Sequence, residues 1–237
     1  MTPRASSKLR SKRVVRALPL AVLVALLLAV APAGAYVQHW GPVVNDIEQN
    51  CTDTATYPCI EWAKTANNLS INVDYYLSYT LGQEELDLRP AIRAATLQWN
   101  GVAARNPHLQ ETTSTSNEEV WVTVDASAFP SPCFFAVTTT PSSPTQPYHI
   151  NSSVVKFNPT ILWNDSYNYT FDPSDCIPNN ADIRKVSTHE FGHVEGLGHA
   201  NPFDATQYSV MRQGAVTPWW ARVDDHNGII HIYGAYP

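Results

Sequence analysis

The sequence predicts an α+β domain, and three observations carry that expectation. Runs rich in aromatic and β-branched residues recur between residues 71 and 159. Patterns of helical period, with start and stop signals, stand apart from them at 88–103, 180–196 and 222–234. No internal repeat is present, which excludes a solenoid or propeller. Strands and helices in separate groups pack as α+β.

Taken in order, "INVDYYLSYT" (71–80) reads as a strand. "LDLRPAIRAATLQWNGVAARNP" follows as a helix over 88–103. Asp87 is placed to cap it, Pro90 suits its first turn, and Leu88, Ile92, Ala95 and Trp99 share one face. "EEVWVTVDA" (118–126), "CFFAVTTT" (133–140) and "SSVVKFNP" (152–159) are further strands. The Pro/Ser/Thr stretch "TTTPSSPTQP" between the last two reads as a loop. "NNADIRKVSTHEFGHVEG" predicts a helix opened by Asn180 and stopped at Gly196. "RVDDHNGIIHIYG" (222–234) predicts a closing helix with Gly234 as its C-cap.

The start of the chain is expected to lie outside this fold. Arg4, Lys8, Arg10, Lys12, Arg13 and Arg16 precede an apolar run from Ala17 that ends in small residues at Ala33-Gly34-Ala35. A basic region, an apolar core and an A-x-A-like end make a secretory signal peptide over 1–35. The apolar run, bracketed by Pro19 and Pro32, is shorter than the roughly 20 residues of a spanning helix. Export followed by cleavage is therefore expected, with no stable membrane association afterwards. Cleavage removes six cations and no acid, taking the formal charge from −6 to −12. So acidic a chain is not built to bind nucleic acid.

Cys51, Cys59, Cys133 and Cys176 remain. An even count in an oxidising compartment suggests disulfides. Three pairings are open. Cys51–Cys59 with Cys133–Cys176 is favoured because the first closes a short local loop, and no C-x-x-C spacing points to metal.

The chemistry is concentrated in "HEFGHVEGLGH" (189–199). Helical spacing puts His189 and His193 on one face, a turn apart, where each can offer a nitrogen to Zn2+ at about 2.0–2.1 Å. Gly196 can take the left-handed conformation that ends a helix and turns the chain, bringing His199 in as third ligand. The fourth position stays open for a water, as one catalytic zinc ion requires. Glu190 then serves as the general base for that water. A lone H-x-x-x-H is often two ordinary histidines. Five fixed positions, His189, Glu190, His193, Gly196 and His199, are a far more specific signal.

These residues resemble the H-E-x-x-H-x-x-G-x-x-H signature of the metzincin zinc peptidases. Metzincins also have a Met-turn beneath the metal, and "YSVMRQG" supplies Met211 downstream of His199. "DDHNGIIHIYG" is similar to the last helix of the matrixins. Met211 is followed by Arg212 and Gln213 where matrixins commonly have Tyr-Pro, and no tyrosine ligand is expected after it. The resemblance implies a metzincin-like (zincin) catalytic domain, with a mixed twisted sheet, an active-site helix and a C-terminal helix. It would span 71–237, after an N-terminal segment, 36–70, packed on it. It further implies Met211 as an apolar floor under the histidines, against an ordinary core methionine, and Asp224 and Asp225 hydrogen-bonding beneath the Met-turn, for which charge stabilisation of a helix N-terminus is the plainer account.

The function expected is that of a secreted zinc endopeptidase acting on protein or peptide substrates. The competing reading is an exported surface-binding protein whose zinc is purely structural. Glu190 argues against it, because a closed site has no use for a carboxylate there. Asp165, Asp172 and Asp175 offer oxygens to Ca2+, but a solvated acidic loop explains them more simply. His39, His108, His149, His226 and His231 show no ligand spacing. Trp219 and Trp220 are candidates for a specificity pocket or for plain packing. Sequons begin at Asn50, Asn68, Asn151, Asn164 and Asn168. Nothing in the sequence speaks to oligomeric state.

Overall fold

The computed structural model describes residues 61–62, 68–73, 78–81, 84–112, 119–129, 134–141, 149–165, 181–200, 209–212 and 220–235. The expected signal segment, all four cysteines, His39, Asp172, Asp175, Asn180 and Trp219 lie outside them.

Along the chain run β1 (Glu61–Trp62), β2 (Asn68–Val73), β3 (Ser78–Leu81), β4 (Glu84–Asp87), α1 (Arg89–Asn100), β5 (His108–Glu111) and β6 (Val120–Val124). Then come β7 (Ala136–Thr139), β8 (His149–Ile150), β9 (Ser153–Phe157), β10 (Trp163–Asn164), β11 (Ala181–Asp182), α2 (Ile183–Val194) and α3 (Val223–Tyr233). Five strands form one mixed sheet in the order β5-β2-β6-β9-β7. The first four are parallel, and β7 runs antiparallel to β9 at one edge. Burial alternates along β9, where Ser153, Val155 and Phe157 point inward, as a strand with one covered face requires.

Two helices close over that sheet. α1 buries Ala91, Ile92, Ala95, Thr96 and Trp99, the apolar face expected from the sequence, with Leu88 just before it. The Trp99 indole donates to the carbonyl of Thr188 at 3.0 Å and so pins α1 to α2. Each large apolar side chain hidden here contributes about 1.5–3 kcal/mol. Asn100 ties the end of α1 to β5 through paired bonds with Leu109 of 2.9 and 2.7 Å. Among the described residues no helix is long and apolar enough to cross a membrane.

Some boundaries differ from expectation. The run 71–80 is not one strand. β2 starts earlier, at Asn68, and ends at Val73, while Ser78–Leu81 pairs with β4 in a separate antiparallel hairpin. Asp87 serves α1 from one position before the cap, accepting from the Arg89 amide at 3.0 Å and from its guanidinium at 2.7 and 2.8 Å. At α2 the capping side chain is that of Asp182, which accepts from the amides of Arg184 (2.9 Å) and Lys185 (3.2 Å). Gly234 does end α3, with φ +79°.

Candidate metal centre and active site

α2 begins where β11 stops, so the sheet-side chain feeds directly into the helix that bears the motif. Its last two turns are almost wholly buried: Thr188, Glu190, Phe191, Gly192, His193 and Val194. The C-terminus closes as a Schellman turn. Leu197 donates to the Gly192 carbonyl at 2.9 Å and Gly196 to that of His193 at 3.0 Å, with Gly196 at φ +92°. A side chain with Cβ is strained at that φ, which accounts for the glycine. The turn reverses the chain and delivers His199 to the other two histidines.

The three Nε2 atoms converge. His193 Nε2 lies 3.2 Å from His189 Nε2 and 3.2 Å from His199 Nε2, and all three lie within 4.8 Å of one another. The opposite ring nitrogens decide what these contacts are. His189 Nδ1 faces the carbonyl of Val210 at 2.8 Å, and His193 Nδ1 faces that of Leu197 at 2.7 Å. A carbonyl only accepts, so Nδ1 carries the proton in both rings and each Nε2 presents a lone pair. Lone pairs aimed at each other at this distance repel unless a cation sits among them. Tetrahedral zinc with bonds of about 2.0–2.1 Å holds its ligand nitrogens about 3.3 Å apart, so the donor set fits that ion. Backbone carbonyls orienting two of the imidazoles are the usual outer support of such a ligand set.

Glu190 stands beside this cluster, and only 5% of it is exposed. Its Oε2 accepts from the Thr138 hydroxyl of β7 at 2.5 Å, across the sheet–helix interface. Burial pushes its acidity toward the neutral form, opposed by His189 and by the Thr138 hydrogen bond.

Beneath the histidines, Ser209–Arg212 forms the turn that holds Met211. Asp225 of α3, itself 1% exposed, anchors it. Its carboxylate accepts from the Ser209 hydroxyl, from the Val210 amide (3.0 Å) and from the Arg222 amide (2.7 Å). The Ser209 hydroxyl in turn accepts from the Met211 amide at 2.9 Å. Met211 then lies so close to α2 that a Cβ on Gly192 would fall 2.1 Å from its Sδ and 2.9 Å from Trp99 Cζ2.

Among the described residues these histidines are the one group of three that could hold a metal. No calcium cluster is present there, and Asp165 is exposed. Trp220 carries the Arg222 guanidinium 4.5 Å above its ring. Thr138, Asp182, Gly192 and Glu195 belong to this region and were not singled out from the sequence. Gly192 did leave a trace, since an interior helical glycine is unfavourable unless packing needs it. Thr138 left none among three successive threonines.

A 56-residue stretch is 39% identical to Metalloendoproteinase 5-MMP of Arabidopsis thaliana and 38% identical to Metalloendoproteinase 1-MMP of the same plant. Each alignment takes in 24% of this chain and spans 15% of the length of the curated relative. The matrixin family model matches residues 62–234, a range that starts at the second residue of β1 and includes all of β2. With so much of its length matched, and with the histidine cluster, the turn of Met211 and α3 inside the match, the chain belongs to the matrixin family, peptidase family M10.

Proposed function

We propose that this chain is a zinc endopeptidase that works outside the cell. The observation that carries this reading is the convergence of three histidine Nε2 atoms, with Nε2 lone pairs on His189 and His193, beside a buried carboxylate. His189, His193 and His199 would hold the ion. When bound, zinc supplies Lewis acidity, acidifying a water and polarising the scissile carbonyl.

The chain's own residues do the rest. Thr138 engages Oε2 of Glu190, so Oε1 takes the proton from the attacking water. The same carboxylate passes that proton to the departing amine nitrogen. Strand β7 lies at the sheet edge beside Glu190, and among the described residues only β9 pairs with it. An extended peptide can add to such an edge through main-chain hydrogen bonds, which supports a polypeptide substrate. The basic-then-apolar start of the chain supports export, and export supports the disulfides Cys51–Cys59 and Cys133–Cys176.

The test is casein cleavage by purified, zinc-loaded protein. Cleavage should stop with a chelator. It should also stop in Glu190→Gln, with the metal retained. Full turnover in that variant would refute the assigned base. N-terminal sequencing of exported material should begin at Tyr36.

A further inference from the structure

We propose that Thr138 is a positioning residue for Glu190, its hydroxyl holding the carboxylate in the orientation that meets the water. The inference rests on the peptidase reading above and assigns a role to a residue outside the metal-binding motif.

The geometry is specific. Thr138 Oγ1 lies 2.5 Å from Glu190 Oε2 and 3.2 Å from the Glu190 carbonyl. A hydroxyl has one proton to give. The shorter contact, to the charged acceptor, takes it. Thr138 is buried at 8% exposure, in a strand paired to β9 by Thr138↔Val155. A β-branched side chain in a strand has few χ1 choices, so the hydroxyl is aimed before substrate arrives. A glutamate has three side-chain torsions, and without this bond its carboxylate can swing away from the histidines. Because β7 is also the sheet edge among the described residues, one residue fixes the base relative to the strand that would receive substrate. A threonine present merely to satisfy itself would need only the main-chain carbonyl.

The experiment compares full-length, zinc-loaded wild type with Thr138→Val and Thr138→Ser on a fluorogenic casein-derived peptide. Valine keeps the shape and removes the hydroxyl. In Thr138→Val, kcat is expected to fall about ten- to a hundredfold, the range for a hydrogen bond to a charged group, with KM and zinc content unchanged. In Thr138→Ser, kcat should stay within about threefold of wild type, because the donor remains. An isotope-edited infrared spectrum gives a second readout independent of turnover. The carboxylate band that vanishes in Glu190→Gln should shift in Thr138→Val and not in Thr138→Ser. Unchanged kcat and an unmoved band in Thr138→Val overturn the proposal. So does loss of zinc from it, or a tenfold fall in Thr138→Ser. If wild type cleaves nothing, the peptidase reading fails by itself, and the infrared shift still decides whether Thr138 holds Glu190.

Discussion

Glu190 lies within α2, and Glu195 is the residue that caps its C-terminus. Both are buried and burial raises both carboxyls, but their polar surroundings differ. Glu190 feels the charge of His189 and has a hydroxyl on Oε2. Glu195 is 0% exposed, and neither of its carboxylate oxygens has a hydrogen-bond partner among the described residues. The Asn106 amide is its nearest polar support, but that nitrogen is directed at the carbonyls of Trp99 and Pro107, at 3.4 Å each. Tyr233 donates to the main-chain carbonyl of Glu195 at 3.1 Å, not to its carboxylate. Burial pushes the Glu195 carboxyl up to about 8. At Glu195 the Asn106 amide alone opposes that rise. At Glu190 it is opposed by His189 and the Thr138 hydroxyl, the setting of the base proposed above.

The largest effect should separate the two glutamates directly. Glu190→Gln is expected to lower kcat by about 10²–10⁴, the usual contribution of a general base. Glu195→Gln should leave kcat within about threefold, since a protonated acid and an amide are alike in charge. Equal losses measured side by side would erase the distinction.

Next comes the floor under the histidines. Gly192→Ala forces a methyl into Met211 Sδ and Trp99. Overpacking of this kind costs about 1–3 kcal/mol, read as a lower denaturation midpoint together with weaker zinc retention. An unchanged midpoint would mean that Met211 moves aside freely.

The remaining comparison is the pH dependence of Glu195. Its ordinary value is 4.5, and the fold holds it near 8. Across that window the native state keeps a proton that the unfolded chain has lost. Stability from this group therefore falls as pH rises from 4.5 to 8 and levels off above. Glutamine cannot titrate, so Glu195→Gln should gain stability over wild type between pH 6 and pH 9 in urea melts at fixed zinc. A constant gap would place Glu195 with a partner that stabilises its charge.

Much of this was readable in the chain, for a local reason. His189, His193, Gly196 and His199 are linked by helix periodicity and one left-handed turn, and short-range geometry depends on spacing alone. The apolar face of α1 was legible in the same way. Strand β5 was not, because only Leu109 of its four residues is buried and no alternation marks it. The two-residue strands β1, β8, β10 and β11 are too short to carry a period. Asp225 came from family resemblance and not from any pattern in its own surroundings.

The sequence by itself determined which atoms can meet a metal and which carboxylate stands next to them. Only the tertiary structure decided the rest. It set Thr138 of β7 against Glu190, Asp225 against Val210 in the turn of Met211, and the Tyr233 hydroxyl against the main-chain carbonyl of Glu195. These contacts join residues 52, 15 and 38 positions apart. No local propensity encodes such distances. They exist because the sheet edge, α2 and α3 are pressed together around one apolar core, and that packing is a property of the whole chain.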